Sequence, residues 1–168
     1  MLTPIRGTRW ACVGVLGLAL GLEAGLACEA QPDCGPAEGV VDLVIDGDTI
    51  QLATGERVRY LLVDTPELSP SPECFGLEAA DFNREAVEGR TVTLSYDSEC
   101  TDRFDRLLAY VDVDGRSINE LLLTRGFACV LQIPPNGDER VDEYRRLEQQ
   151  AQDGRVGIWG ACAEDPCD

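Results

Sequence analysis

From residue 40 onward the chain alternates short apolar runs with polar breaks, and the period changes from segment to segment. Val40–Ile45 and Thr49–Leu52 are two β-type runs separated by Asp46-Gly47-Asp48, and Thr54-Gly55 makes a turn before a third run, Arg57–Val63. Pro66, Pro70 and Pro72 then mark a loop. Leu77, Ala80, Phe82 and Ala86-Val87 recur at helical spacing and predict a first helix closed at Glu88-Gly89. Thr91–Tyr96 and Leu107–Val113 return to strand character, and Asp114-Gly115 suits a tight hairpin. Ser117 with Glu120 forms a capping box that opens a helix over Ile118–Thr124, stopped at Gly126. Phe127–Ile133 reads as a last extended segment, Pro134-Pro135-Asn136-Gly137 as a turn, and Glu139–Gln152 as a charged amphipathic helix ahead of Gly154. Five strands with three helices predict an α+β fold in which a small closed β-barrel carries the helices.

The amino-terminal segment breaks from this pattern. Arg6 and Arg9 precede an apolar run, Trp10–Leu22, and small residues follow in Ala24-Gly25-Leu26-Ala27. This is a secretory signal pattern, too short to span a bilayer comfortably. The expected organisation is therefore a signal peptide over 1–27, a Pro- and Gly-rich flexible leader over 28–39, one domain over 40–162 and a tail over 163–168. The mature protein is expected to be secreted or periplasmic. Cys12 falls in the signal, which leaves Cys28, Cys34, Cys74, Cys100, Cys129, Cys162 and Cys167. Two readings of the odd number stay open: cleavage after Ala27 without acylation, or a lipid anchor on Cys28 as in bacterial lipoproteins. Gly25 stands where the lipoprotein pattern usually has a larger aliphatic residue. The sequence lacks histidine and any CxxC pair, so disulfides are favoured over a zinc site, in pairings the sequence does not rank.

Composition adds one constraint. The formal charge is -17 and every basic residue is an arginine. Such a chain has no generic attraction to a polyanion, so any phosphate chemistry must rest on a local cluster or a bound cation.

Asp46, Asp48 and Asp64 stand at strand ends or bends that a meander would bring together. Clustered carboxylates need a cation, and calcium takes oxygen ligands of this kind. Alone, Asp46-Gly47-Asp48 is an ordinary turn with Asx bonding. Asp112-Val113-Asp114-Gly115 has its glycine too early for an EF-hand loop. Arg59 and Arg106 carry planar forks that suit phosphate oxygens, although each alone reads as a surface ion-pair residue. Glu67, in the loop after Pro66, is a carboxylate able to orient or deprotonate a water.

Taken in order, IDGDTI, RYLLVDTPE, FGLEAADF, TDRFDRLLAYV, DGRSINELLLTRGFA and GIWGAC resemble the staphylococcal nuclease (thermonuclease) family over about Val40 to Cys162. The resemblance implies a five-stranded OB-fold β-barrel with three helices, acting as a calcium-dependent phosphodiesterase on DNA and RNA and leaving 3'-phosphates. It implies that Asp48 and Asp64 supply the Ca2+ carboxylates, Thr65 a backbone carbonyl, and Asp46 a further contact through water. Glu67 matches the general base or water-orienting carboxylate. Arg59 and Arg106 match the arginines on the scissile phosphate, and Arg103 and Phe104 fall in the substrate-binding segment.

This chain departs from the family pattern at several places. Asp105 replaces a frequent glycine and sets a carboxylate beside Arg106. Phe104 keeps a ring without the usual hydroxyl, Val130–Pro135 lacks tyrosine, and the Leu68–Glu73 loop has no lysine. Cys74 and Cys162 sit where exported relatives often carry cysteines. Trp159 and Leu147 are expected in the core, and Asn119 as a structural hydrogen-bonder. A monomer is expected. Two rivals to an enzyme are a non-catalytic OB-fold nucleic-acid or protein binding module on the cell envelope, and a calcium-stabilised envelope lipoprotein.

Overall fold

The computed structural model describes residues 34–163 and Cys167. The expected signal peptide, Cys28 and the first residues of the expected leader lie outside that range. The strands are β1 (Glu38–Val44), β2 (Thr49–Leu52), β3 (Arg57–Tyr60), β4 (Thr91–Thr101), β5 (Leu107–Val113) and the short β6 (Arg116–Ser117). The helices are α1 (Gly76–Val87), α2 (Ile118–Thr124), α3 (Val141–Asp153) and a single turn, α4 (Ile158–Ala161).

The strand order is β3-β2-β1-β4-β5-β6, and a parallel pairing of β3 with β5 closes the first five into a barrel. Closure is made by Val58 opposite Leu107, Arg59 opposite Leu108 and Tyr60 opposite Ala109. Inward positions fill the barrel: Ile50, Leu52, Val58, Val92, Ala109 and Val111 are all fully buried. The expected five-stranded OB-type barrel with its three helices is what the chain forms.

Caps and turns behave as the sequence predicts. Ser117 accepts the Glu120 N–H at the start of α2, and Asp114 and Gly115, at φ 51° and 74°, make the two-residue turn between β5 and β6. Asn119 is fully buried: its Oδ1 accepts from Val111 N–H at 2.9 Å and its Nδ2 donates to Leu61 O at 2.9 Å, so it ties α2 to the barrel.

Four expectations need correction. The third strand ends at Tyr60, because the Arg59 guanidinium takes the carbonyls of Tyr60 and Val63 and Leu62 turns to φ 60°. Phe127–Ile133 makes only an isolated bridge between Cys129 and Asp64. There the Val130 N–H goes to the Glu148 carboxylate, which keeps it out of a ladder. Ile158, rather than Trp159, is the fully buried residue near the carboxyl end. Residues 34–39, read as the end of a leader, belong to the barrel: Leu94 N–H donates to Ala37 O, and the Tyr96 hydroxyl to Pro36 O.

Disulfides join Cys34 to Cys100, Cys74 to Cys162 and Cys129 to Cys167. Glu148 lies near the third pair, but those two sulfurs are bonded to each other and its carboxylate holds Val130. Among the described residues no helix is long and apolar enough to cross a membrane.

Candidate active site

Asp46, Asp48, Arg59, Asp64, Glu67, Arg103, Phe104 and Arg106 all line one cleft of about 570 Å³. Thr65, the remaining residue singled out from sequence, is buried beside it and bonded to Asp48. The cleft has two sides of different construction.

The first is a carboxylate corner at the exit of β3. Asp46 Oδ1 accepts the Asp48 N–H at 3.1 Å, which bends the chain between β1 and β2. A Cβ on Gly47 would stand 2.6 Å from Thr65 Oγ1, so only glycine lets this bend pack under Thr65. Asp48 is 5% exposed. Its Oδ2 accepts from Thr65 N–H at 2.8 Å and Thr65 Oγ1 at 3.0 Å, and its Oδ1 meets Thr49 Oγ1 at 3.1 Å and Arg59 Nε at 3.1 Å. Arg59 Nη2 reaches Asp64 Oδ1 at 2.5 Å. Asp64 is fixed along its backbone by reciprocal hydrogen bonds with Cys129, at 2.8 and 2.9 Å. Tyr60 braces the corner from below, donating to Asn83 Oδ1 at 2.9 Å while Asn83 Nδ2 donates to Asp46 O at 3.1 Å.

Electrostatics follow from this crowding. Burial, then the Asp48 charge, pushes Asp46 up to about 6. Burial likewise raises Asp64; Arg59 opposes the shift, while Asp48, Glu67 and Glu73 add to it. Six carboxylates line the cleft (Asp46, Asp48, Asp64, Glu67, Glu99, Asp102) against three arginines (Arg59, Arg103, Arg106). A corner of hard oxygen donors with excess negative charge is suited to a divalent cation. Asp46, Asp48 and Asp64 are the carboxylates that this corner presents to the cleft.

The second side is the turn Asp102–Arg106. Asp102 Oδ1 accepts from the N–H groups of Phe104 (2.9 Å) and Arg106 (3.0 Å), and Oδ2 receives Arg106 Nε at 2.7 Å and Nη2 at 2.6 Å. One carboxylate thus folds the turn and aims the guanidinium. Burial raises Asp102, but the hydrogen bonds from Arg106 and Phe104 outweigh it and hold the carboxyl below its ordinary value. Asp105 adopts φ 61°, a conformation that glycine or aspartate takes more readily than most residues. Asp105 lines a separate depression with Thr54 and Arg57 and is not among the residues lining the cleft. Phe104 is 54% exposed, with Arg103 4.7 Å and Arg106 5.4 Å from its ring centre.

Several residues at the site went unnoticed in the sequence, Glu99 and Asn136 among them. Asp102 carried a usable signal, an Asp four residues ahead of an Arg in a tight turn. Leu131 and Ile133 line the cleft as exposed apolar groups, 38% and 67% accessible, in the stretch that lacks tyrosine. Glu73 lies across the loop from Glu67.

Residues 57–161 match the family model described as staphylococcal nuclease homologue. The chain belongs to the staphylococcal nuclease family. Among similar proteins, endonuclease YncB of Bacillus subtilis is 39% identical over 126 residues, 71% of this chain and 60% of that protein. The SPbeta prophage-derived endonuclease YokF of the same organism is 36% identical over 126 residues, 71% of this chain and 43% of that protein. The thermonuclease of Staphylococcus intermedius is 39% identical over 130 residues, 71% of this chain and 74% of that protein. This chain therefore spans less than two thirds of each of the two Bacillus proteins. Membership of the family suggests a divalent cation at the carboxylate corner.

Proposed function

We propose that this protein is an exported, monomeric, calcium-dependent endonuclease that hydrolyses DNA and RNA without regard to the sugar and leaves 3'-phosphates. The observation that carries the reading is the convergence of two guanidinium groups, Arg59 and Arg106, with a carboxylate corner built on the buried Asp48, on one cleft. Without a cation that cleft would repel a phosphodiester; with one, its charge is offset.

Asp48, Asp64 and the Thr65 carbonyl would hold Ca2+, with Asp46 contributing through a water. When bound, the ion supplies positive charge that makes the phosphorus more electrophilic. Arg59 and Arg106 hold the phosphoryl oxygens and stabilise the charge that grows on them as water attacks. Glu67 takes the proton of that water, the new O–P bond forms, and the bond from phosphorus to the 5' oxygen breaks, with the leaving oxygen protonated from solvent. Arg103 and Phe104 line the path of the strand, the exposed ring offering a stacking surface for a base.

Purified protein should cut denatured DNA when calcium is added and stop when calcium is chelated. If DNA is bound but left intact across salt and pH, the enzyme reading fails and a binding module takes its place.

A further inference from the structure

Arg59, Asp48 and Arg106 are held by contacts to their side chains. Glu67 is held through its backbone. Its N–H donates to Glu73 Oε2 at 2.9 Å, and the Glu73 N–H donates back to Glu67 O at 2.9 Å. The two bonds close the loop Leu68-Ser69-Pro70-Ser71-Pro72 at its base.

Glu73 stands on the better-anchored side of that base. Its carbonyl accepts the Gly76 N–H at 3.1 Å at the start of α1. A Cβ on Gly76 would lie 2.8 Å from Glu67 O and 3.0 Å from Pro66 O, so the helix start is packed against the same peptide groups. Cys74, next in the chain, is bonded to Cys162 at the end of α4. Phe75 stacks on Phe127 with ring centres 5.6 Å apart, and Phe127 on Phe82 at 4.7 Å.

We infer that Glu73 is a positioning residue for Glu67, passing the rigidity of the Cys74–Cys162 anchor and of α1 to the loop that carries the proton acceptor. The inference rests on the nuclease reading above and on Glu67 as the group that handles water. An exposed carboxylate accepting one N–H adds little to folding stability. Its effect falls on geometry, where a small misplacement of a catalytic group is costly.

The test is steady-state cleavage of denatured DNA with calcium by the wild-type protein and by Glu73→Ala, Glu73→Gln, Glu67→Gln and the double variant Glu67→Gln with Glu73→Ala, each checked for an unchanged thermal midpoint. Glu73→Ala should lower kcat by about 10- to 100-fold with KM unchanged. Glu73→Gln, whose amide oxygen still accepts the Glu67 N–H, should recover most of that loss. In the Glu67→Gln background Glu73→Ala should cost little more, because the positioning bond runs to Glu67, while the Glu73 charge that helps raise Asp64 is lost in both backgrounds. An equal loss from Glu73→Ala in both backgrounds, or a Gln variant as poor as the Ala variant, would overturn the inference. Arg106→Ala is the control on the underlying reading: if it cuts at full rate, the assignment of the cleft fails, whereas a dead Arg106→Ala beside a fully active Glu73→Ala removes Glu73 alone.

Discussion

Two arginines face the same cleft from mounts of opposite kind. Arg59 stands in a barrel strand, 13% exposed, and its guanidinium is engaged by Asp48, Asp64 and two carbonyls of its own chain. Arg106 ends a five-residue turn, is 24% exposed, and rests on one carboxylate, Asp102, which also folds that turn. In the first mount, the contacts that aim the arginine also complete the end of the barrel. In the second they are local. Orientation and stability are therefore coupled at Arg59 and separable at Arg106.

The largest expected effects test that separation directly. Arg106→Ala should cut the cleavage rate by roughly 10² to 10³ while costing less than about 1 kcal/mol of stability. Arg59→Ala should lose a comparable amount of activity and also about 3 kcal/mol of stability, because the buried Asp48 loses its ion-pair partner. Urea unfolding of the two variants decides the matter, and equal stability losses would mean that the turn is no more separable than the strand. A smaller effect is expected at Asp105→Gly, which relieves the positive φ and should raise stability by up to about 1 kcal/mol. The cleavage rate should not move, since Asp105 lines the other depression; a faster variant would show that its carboxylate competes with substrate phosphate.

The smallest effect concerns pH. The Asp102 carboxyl titrates below its ordinary 3.8 in the folded protein. A depressed carboxylate contributes stability above its unfolded value and loses it as pH falls through the folded one. The gap in unfolding free energy between wild type and Asp102→Asn should thus be constant above about pH 5 and close on further acidification. For a local, partly exposed pair it should stay under about 1 kcal/mol. A gap that widens in acid would contradict the assigned role of Asp102.

The barrel was legible because its period-2 runs and its turn residues agree, as at Thr49–Leu52 and Asp114-Gly115. The carboxylate corner was legible for a related reason: Asp46, Asp48, Arg59 and Asp64 are polar residues in or beside runs whose packing does not call for them. Phe127–Ile133 misled because apolar composition reports burial without reporting where backbone N–H groups go, and here one goes to the Glu148 side chain. Glu73 was hidden because its bond to the Glu67 backbone depends on how a proline loop closes, which no periodicity encodes.

The three disulfides overlap in order along the chain: 34 to 100, 74 to 162 and 129 to 167. Every peptide bond between Cys34 and Cys167 consequently lies inside at least one covalent ring. A protease that nicks any single point of that stretch, the proline loop included, frees no fragment: the severed ends stay attached to the same molecule until a reductant opens a bridge.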